Sequence, residues 1–439
     1  MGYIEGEGRS QGTLFPVVLD DLVPANHVCR VIDAFVDGLA MAGLGFERAE
    51  AAETGRPGYD PRDLLKLYLY GYLNQIRSSR RLEAECRRNV ELMWLLGRVY
   101  PDHKSIAEFR RMHREAVTEA GAELVRFARS CGLIRGEWIA LDGTKFRAVA
   151  SADSVRERQA LQRYLDSMEN ADEEQQATID PSVVQAAINK LKQHPEPEAG
   201  FMKVAGTIAP AYNVQTAVDS EHALVVTHAV TLDAADNRSL EPMAEAAKKA
   251  LGADSLNIIA DTGYSNGEQA SRCEEAGLIP HVPATRSVNA TGLLDRSAFT
   301  YQSDTDTFLC PEGKTLKRTQ LSRKDRAIYY QAKASDCGSC SRRTGCTQAP
   351  QRMVTRHLHD DALNRMHQRA TPSLMRLRRS TVEHPFGTLK YRIFGHPRLL
   401  LRGLHGAQTE IGIAIMAYNL KRMVNLLGAK HLTQAFTPV

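Results

Sequence analysis

Two short apolar segments that each run into an aspartate constrain the fold of this chain more than any other feature. The sequence IALD ends at Asp142, and the sequence LNIIAD ends at Asp261. Short apolar runs followed by glycine-containing turns are typical of buried strands. Strand and helix patterns alternate along this part of the chain, which predicts an α/β fold with helices flanking a sheet. Asp-Gly is also a common turn sequence, so either aspartate alone could simply end a strand.

The middle of the chain predicts the order strand, insertion, two strands, helix, strand, helix, strand. Residues 152–193 are polar and rich in Glu and Gln, which indicates two helices or a partly ordered insertion. The segment AYNVQTAVDSEHALVVTHAVTL alternates apolar and polar residues around DSEH and predicts a β-hairpin. An amphipathic helix follows and ends at Gly252. This order places Asp142 and Asp261 at strand ends, where α/β proteins collect ligand-binding and catalytic groups.

Residues 15–135 have the apolar spacing of helices. Asp60 is placed as the N-cap of one helix and Pro61 as its first residue. Ser105 and Glu108 have the spacing of a capping box, which predicts the start of another helix near Ser105. The N-terminal part is therefore expected to be an all-α bundle with short connections.

The segment 77–114 of this bundle carries ten Lys or Arg residues and five acids. Phe109 and Met112 are predicted to face the bundle interior, with cations on or beside the opposite, solvent-exposed face. The candidate DNA-binding residues here are Lys104, Arg110, Arg111 and Arg114. A basic bundle face suits a helix-turn-helix reader of DNA. A solvated surface with no ligand would have the same composition, and both interpretations stay open.

A second basic segment, residues 362–402, holds nine Lys or Arg residues and a single carboxylate, Glu383. Arg379 lies four residues earlier and would face Glu383 on a helix, so a simple salt bridge is one explanation. The other is a metal ligand, because a divalent cation allows a carboxylate to lie beside phosphodiesters. Pro385 predicts that Glu383 lies in the last regular turn before a kink. With Asp142 and Asp261, Glu383 could hold two Mg²⁺ ions about 4 Å apart.

These segments together resemble the bacterial insertion-sequence transposases of the DDE type, which have an RNase H-like catalytic domain. The resemblance spans roughly residues 15–428 and rests on YDPRDLLKLYLYGYL, DHKSIAEFRR, ALDGTKF, IIADTGYSNG, VEHPFGTLKYR and AYNLKRM. It implies that Asp142, Asp261 and Glu383 are the catalytic, metal-binding triad.

Many members of that family also carry Tyr-x2-Arg-x3-Glu-x6-Lys around the last acid. Arg379, Glu383 and Lys390 have this spacing, whereas Arg376 occupies the tyrosine position. The resemblance implies that Arg379 and Lys390 bind phosphates near the cut, and Arg376 joins them as a candidate DNA contact. The departure at Arg376 leaves the role of the family's tyrosine, handling a flipped or hairpin-strained base, without an obvious residue.

The resemblance implies a DNA transposase that cleaves at insertion-sequence ends and transfers the 3′-hydroxyl ends to target DNA by two-metal phosphoryl transfer. Its expected cofactors are two Mg²⁺ ions, with Mn²⁺ as a substitute. Its expected partners are double-stranded DNA, as terminal inverted repeats and target, and a second copy of the chain in a synaptic homodimer. The alternative is a non-catalytic, domesticated protein or repressor that binds terminal repeats. Retention of all three acids favours the enzyme over the alternative, and an RNase H-like nuclease is a third class.

Four of the eight cysteines are clustered. Cys310, Cys337, Cys340 and Cys346 include a Cys-x2-Cys pair, and four thiolates can close a structural zinc site. His357 or His359 could replace one ligand. Reduced cysteines in an irregular loop are the other interpretation.

The N-terminal MGYIEGEGRS lacks the basic and apolar regions of a secretory signal, and no uncharged apolar run approaches ~18 residues. With the unclustered cysteines expected to be reduced, this predicts a cytoplasmic protein that is nucleoid-associated when bound to DNA, with no membrane partner. The predicted fold class is α/β: an RNase H-like mixed sheet flanked by helices, an N-terminal all-α DNA-binding domain and an irregular Cys-containing insertion. The predicted segments are 1–135 (helical), 136–284 (first part of the core, with a helical insertion at 152–200), 285–375 (Cys-containing insertion) and 376–439 (C-terminal helices of the core).

Overall fold

The computed structural model describes residues 18–50, 58–169, 180–285 and 292–437. The chain divides into two compact units. Unit 1 comprises Met1–Gly136, Asp142–Ala234 and Ser380–Val439. Unit 2 comprises Glu137–Leu141 and Ala235–Arg379.

Helices dominate both ends of the described chain. They are α1 (Val28–Asp37), α2 (Pro61–Leu73), α3 (Ser79–Cys86), α4 (Val90–Leu95), α5 (His103–Met112), α6 (Arg114–Ser130), α7 (Ala152–Glu169), α8 (Pro181–Lys192), α9 (Leu240–Leu251), α10 (Gly267–Glu275), α11 (Ala334–Gly338), α12 (Arg343–Cys346), α13 (Asp360–Arg369), α14 (Pro372–Gly387), α15 (Gly403–Leu427) and α16 (Ala429–Phe436). A π-helix, Thr388–Ile393, continues α14. None of the described helices is long and apolar enough to cross a membrane.

The strands form two sheets. They are β1 (Trp138–Arg147), β2 (Gly200–Val204), β3 (Thr207–Asp219), β4 (Val225–Thr231), β5 (Leu256–Ile259), β6 (Leu278–His281), β7 (Thr300–Gln302), β8 (Thr307–Leu309), β9 (Thr315–Ser322), β10 (Ala327–Gln331) and β11 (Met353–His357).

The first sheet is mixed, as the predicted fold class requires. In unit 1, β3 pairs antiparallel with β2 and with β4, which confirms the predicted hairpin. In unit 2, the first residues of β1 pair in parallel with β5, and β5 pairs in parallel with β6. Strand β2 is missing from the predicted order because its alternation is very short: only Met202 and Val204 are buried, on either side of the exposed Lys203.

The core of unit 1 is built around α15, which packs against α2, α6 and β4. Asn419 on α15 accepts a hydrogen bond from the Val225 N–H at 3.0 Å and donates one to the Val225 carbonyl at 2.9 Å. The buried amide thus pairs with both backbone groups of one β4 residue. Asp60 caps α2 as predicted, accepting from the Arg62 N–H at 2.8 Å.

The second sheet, in unit 2, corrects the prediction that residues 285–375 are irregular. Strands β7–β11 form an antiparallel sheet in the order β11-β10-β9-β8-β7. One face buries Phe308, Leu316, Tyr330 and Val354. The strands were not predicted because none of them buries more than two apolar residues; in β9, Leu316 alone is buried. Such short runs carry too little alternation to reveal a strand.

Candidate active site

Asp142 lies inside strand β1 rather than at its end, which corrects the predicted position. The strand continues to Arg147 because Phe146 is fully buried and because the Arg147 backbone pairs with the segment after the π-helix. Arg147 donates to the Pro397 carbonyl at 2.8 Å and accepts from the Leu399 N–H at 2.9 Å. Asp142 therefore lies on a strand that is tied, within unit 1, to the C-terminal part of the chain.

Lys390 and Asp142 interact electrostatically within unit 1. Partial burial lowers the pKa of Lys390, while the Asp142 carboxylate acts in the opposite direction and Lys145 adds to the lowering. The π-helix that carries Lys390 thus brings an ammonium group near the first candidate catalytic acid. Sequence analysis had not identified Lys145, which follows Asp142 by three residues and has no motif of its own.

Asp261 follows β5 and caps a short 3-10 helix, Thr262–Tyr264. Its Oδ1 accepts from the Gly263 N–H at 2.8 Å, and its Oδ2 lies 3.2 Å from Arg378 Nη2. A Cβ added at Gly263 would lie 2.9 Å from Asp261 Oδ1, so this close approach favours glycine. The carboxylate remains 44% exposed and can still bind a ligand.

Arg378 is the partner of Asp261 that sequence analysis missed. Its neighbour Arg379 was chosen instead because it fits the family spacing. Which of two adjacent arginines faces a given carboxylate depends on the rotation of the helix, and adjacent residues differ by about 100°. Only tertiary structure fixes that rotation.

Glu383 is an exposed residue of α14. In the described part of the chain, no ion pair joins it to Arg379, so the salt-bridge explanation finds no support. The helix passes through Pro385 and changes into the π-helix only after Gly387. Val382 and Phe386 are buried on either side and hold this part of the helix in unit 1.

Of the candidate triad, Asp142 and Glu383 belong to unit 1 and Asp261 belongs to unit 2. The convergence of the three carboxylates stays a prediction. Their chemistry fits Mg²⁺, because hard divalent ions prefer carboxylate oxygens and each of these side chains is at least partly accessible.

Two of the three arginines of α14 differ in their surroundings from the arginines just before this helix. Arg376 and Arg379 are exposed, and no salt bridge involving either is found among the described residues. By contrast, Arg365 and Arg369 both pair with Glu274, at 2.5 and 2.8 Å. The second basic segment is therefore partly neutralised within unit 2, although the sequence around it shows one acid.

The predicted orientation of α5 is wrong at two residues. Arg110 is 5% exposed; its Nη1 donates to the Arg77 carbonyl at 3.2 Å and lies 3.4 Å from the Tyr72 hydroxyl. Met112, predicted inside, is 37% exposed. The bundle buries a guanidinium because backbone and tyrosine oxygens meet it there, a contact that polarity patterns cannot anticipate. Arg110 is thus unavailable to DNA.

The start of α5 also differs from the prediction. Asp102 is the N-cap and accepts from the N–H groups of Lys104 and Ser105 at 3.0 and 3.1 Å. The Ser105 hydroxyl also donates to the Asp102 carboxylate. Ser105 therefore stabilises the N-cap residue but is not itself the N-cap. Of the candidate DNA contacts here, Lys104 and Arg111 are exposed and Arg114 is half-buried.

The four clustered cysteines line one cavity of about 240 Å³ in unit 2. The sulfur of Cys310 accepts from the Lys314 N–H at 3.3 Å, and that of Cys337 from the Arg352 N–H at 3.4 Å. Among the described residues, only His27, Cys29 and Glu91 place three ligand atoms within 4.8 Å of one another, so the four sulfurs would have to draw closer to share an ion.

That group in unit 1 is better explained without a metal. His27 Nδ1 accepts the Cys29 N–H at 3.3 Å, so the hydrogen of the neutral ring is on Nε2, which faces Glu91 at 3.4 Å. Neither ring nitrogen then offers a free lone pair. Burial also raises the pKa of Cys29 to about 12, which keeps it a thiol.

Two family models match the chain. Residues 17–112 match a model described as Transposase domain (DUF772), and residues 179–420 match Transposase DDE domain. The second match covers more than half of the chain. The chain belongs to the DDE transposase family. DDE transposases are DNA-cutting and DNA-transferring enzymes that bind DNA and generally use divalent metal ions.

The match to the DDE transposase domain includes Asp261 and Glu383, whereas Asp142 lies between the two matched regions. No curated protein shows significant similarity to this DDE transposase. One solved structure similar to it is the cryo-EM structure of a piggyBac transposase synaptic complex with hairpin DNA. The two share 10% sequence identity, with 94% of this chain and 79% of that chain covered and a TM-score of 0.36.

Proposed function

We propose that this DDE transposase cleaves DNA at the ends of an insertion sequence and joins the freed 3′-hydroxyl ends to target DNA. The observation that supports the proposal is that the three candidate acids, Asp142, Asp261 and Glu383, all have at least partly accessible side chains in a chain of this family. A terminal-repeat-binding protein without chemistry would need none of them.

Asp142, Asp261 and Glu383 would hold two Mg²⁺ ions, for which Mn²⁺ could substitute. Bound metal supplies charge neutralisation at the attacking and leaving oxygens of a phosphoryl transfer. In unit 2, Arg378 and the Gly263 N–H fix the orientation of the Asp261 carboxylate before any ligand binds. In unit 1, Lys390 partly offsets the negative charge of Asp142.

The exposed cations of α14 are the proposed phosphate contacts near the cut. Arg376 and Arg379 are exposed guanidiniums, which bind phosphate oxygens with two parallel hydrogen bonds. Lys390 is the third member, and its ammonium would contact DNA from the π-helix. Recognition of the terminal repeats is assigned to the N-terminal helices, with Lys104, Arg111 and Arg114 as contacts and two chains acting together in the synaptic complex.

Cys310, Cys337, Cys340 and Cys346 are proposed to bind one structural Zn²⁺. Three of them, all but Cys340, also pack against the apolar core of the second sheet. That core is small, and a tetrahedral thiolate site would stabilise it substantially. The zinc would hold α11 and α12 against the strands and take no part in the chemistry.

Incubation of the purified protein with DNA that carries the terminal inverted repeats flanking its own gene tests this function. We expect Mg²⁺-dependent cleavage at the repeat ends and joining of the 3′ ends to a second duplex. Matched DNA with scrambled repeats is the control. Binding to the repeats without any cleavage in Mg²⁺ or Mn²⁺ would instead support the non-catalytic alternative.

A further inference from the structure

A cavity of about 310 Å³ in unit 1 opens beside the residue that follows Glu383. Four groups that carry or can carry positive charge line it: His384, Arg392, Lys421 and Arg422. No Asp or Glu is among the described residues of its lining. Cations gathered around a concave surface without counter-charges attract anions, because the low-dielectric walls focus their field.

A backbone carbonyl orients the guanidinium of Arg422. Its Nε donates to the His222 carbonyl at 2.8 Å, which fixes the plane of the guanidinium. The side chains of Lys421 and Arg392 are exposed, and in the described part of the chain neither forms a salt bridge. One oriented guanidinium and two available cations are thus presented at the same opening.

His384 is also oriented by its neighbours. The buried Tyr418 hydroxyl donates to the Ala223 carbonyl at 2.7 Å, so its hydrogen is already used. His384 Nδ1, 3.0 Å from that hydroxyl, must therefore be the donor in their hydrogen bond.

We propose that this cavity binds one phosphodiester group of the substrate DNA, an inference that rests on the proposed function. Arg422 and Arg392 offer planar guanidiniums and Lys421 a point charge, a combination suited to phosphate oxygens. The apolar side chains of Leu73 and Ile393 line the same cavity and provide a surface for the adjacent sugar. Glu383 and His384 are consecutive on α14 and their side chains point about 100° apart, so a phosphate bound in the cavity would belong to a nucleotide near the proposed cleavage site and would not be the phosphate that is cut.

The test compares the full-length Arg392→Ala/Lys421→Ala variant with a control that loses the same charge elsewhere in unit 1, Arg129→Ala/Lys430→Ala. Both control residues are exposed. Binding to terminal-repeat DNA is measured in EDTA, so that cleavage does not interfere, over a range of salt concentrations. We expect the cavity variant to bind about ten-fold more weakly at 0.15 M salt and to lower the salt slope by about 1–2. Thermal unfolding checks that both variants are folded.

Substrates with single neutral methylphosphonate linkages locate the phosphate. We expect one linkage near the cleavage site to weaken wild-type binding about ten-fold and to leave binding by the cavity variant unchanged. Equal affinity and slope for the cavity and control variants would overturn the inference, while wild-type cleavage of the ends would leave the proposed function standing. Absence of wild-type binding to the repeats would overturn both.

Discussion

Arg77 and Glu410 form a buried ion pair inside unit 1. Arg77 Nη1 lies 2.7 Å from Glu410 Oε1, and the Glu410 side chain is 0% exposed. The other carboxylate oxygen accepts the N–H groups of Leu400 and Leu401, and Arg77 Nη2 donates to the Phe394 carbonyl. A residue in the connection between α2 and α3 thus fixes the chain that follows the π-helix carrying Lys390.

Breaking this pair should destabilise unit 1 strongly. Arg77→Met leaves the Glu410 charge buried without its partner, and such losses cost about 3–5 kcal/mol. We expect a decrease of that order in the free energy of unfolding by urea, whereas Arg80→Met, at an exposed residue of the following helix α3, should change it by less than about 0.5 kcal/mol. Equal effects of the two substitutions would contradict a structural role for the pair.

Arg110 and Arg111 should separate stability from DNA binding. Arg110→Met removes the buried donor of the Arg77 carbonyl, and an unsatisfied buried group costs about 1–3 kcal/mol. The salt dependence of DNA binding by the Arg110→Met variant should equal that of the wild-type protein. Arg111→Ala should leave unfolding nearly unaffected and lower the salt slope by about 1. A lower slope for Arg110→Met than for Arg111→Ala would show that our assignment of the two faces of α5 is reversed.

These two arginines illustrate what the sequence could predict. The helices, the hairpin of β3 and β4, the Asp60 cap and the Gly252 terminus all follow from local patterns, and the structure has each of them. The burial of Arg110 does not follow from local patterns, because it depends on a tyrosine and a carbonyl that are distant in sequence. Polarity patterns assign charged residues to the surface by default.

The candidate site was predictable to a similar extent. Asp261 and its turn could be identified locally, since a short apolar run ends there. Arg378 as its partner could not, because that pairing joins residues more than a hundred positions apart. The second sheet was missed for a different reason: its strands are short, and their outer faces are polar enough to resemble loops.

Lys390 should lower stability while it supports DNA binding. Its folded-state pKa is below the ordinary value of 10.5, so the unfolded chain binds the proton more tightly. The resulting penalty is fully present at neutral pH and disappears as the pH rises from the folded to the unfolded pKa. Lys390→Met should therefore unfold at higher urea concentration at pH 7 and should lack the stability gain at alkaline pH.

The same Lys390→Met variant should bind terminal-repeat DNA more weakly, with a salt slope lower by about 1. Lys249→Met, at an exposed residue of α9, is the control for both measurements. If Lys390→Met lost both stability and DNA binding, the prediction that Lys390 lowers the stability of the folded protein would be wrong.

The cysteine cluster should bind close to one zinc ion per chain. Cys340→Ser should reduce the zinc content measured by elemental analysis and lower the unfolding temperature, because metal binding contributes directly to folding. Cys131→Ser, a free cysteine of unit 1, should retain the zinc. Zinc-free wild-type protein with unchanged thermal stability would favour reduced cysteines.

The most direct test of the central claim is cleavage of terminal-repeat DNA by Asp142→Asn, Asp261→Asn and Glu383→Gln in Mg²⁺, with Glu119→Gln as an exposed control. Metal-assisted charge stabilisation contributes several kcal/mol, so each triad variant should lose at least about 10²-fold in cleavage rate while still binding the repeats. The control should cleave at the wild-type rate. Any one triad variant that cleaves within about two-fold of wild type would contradict the assignment of that residue and the three-carboxylate site with it.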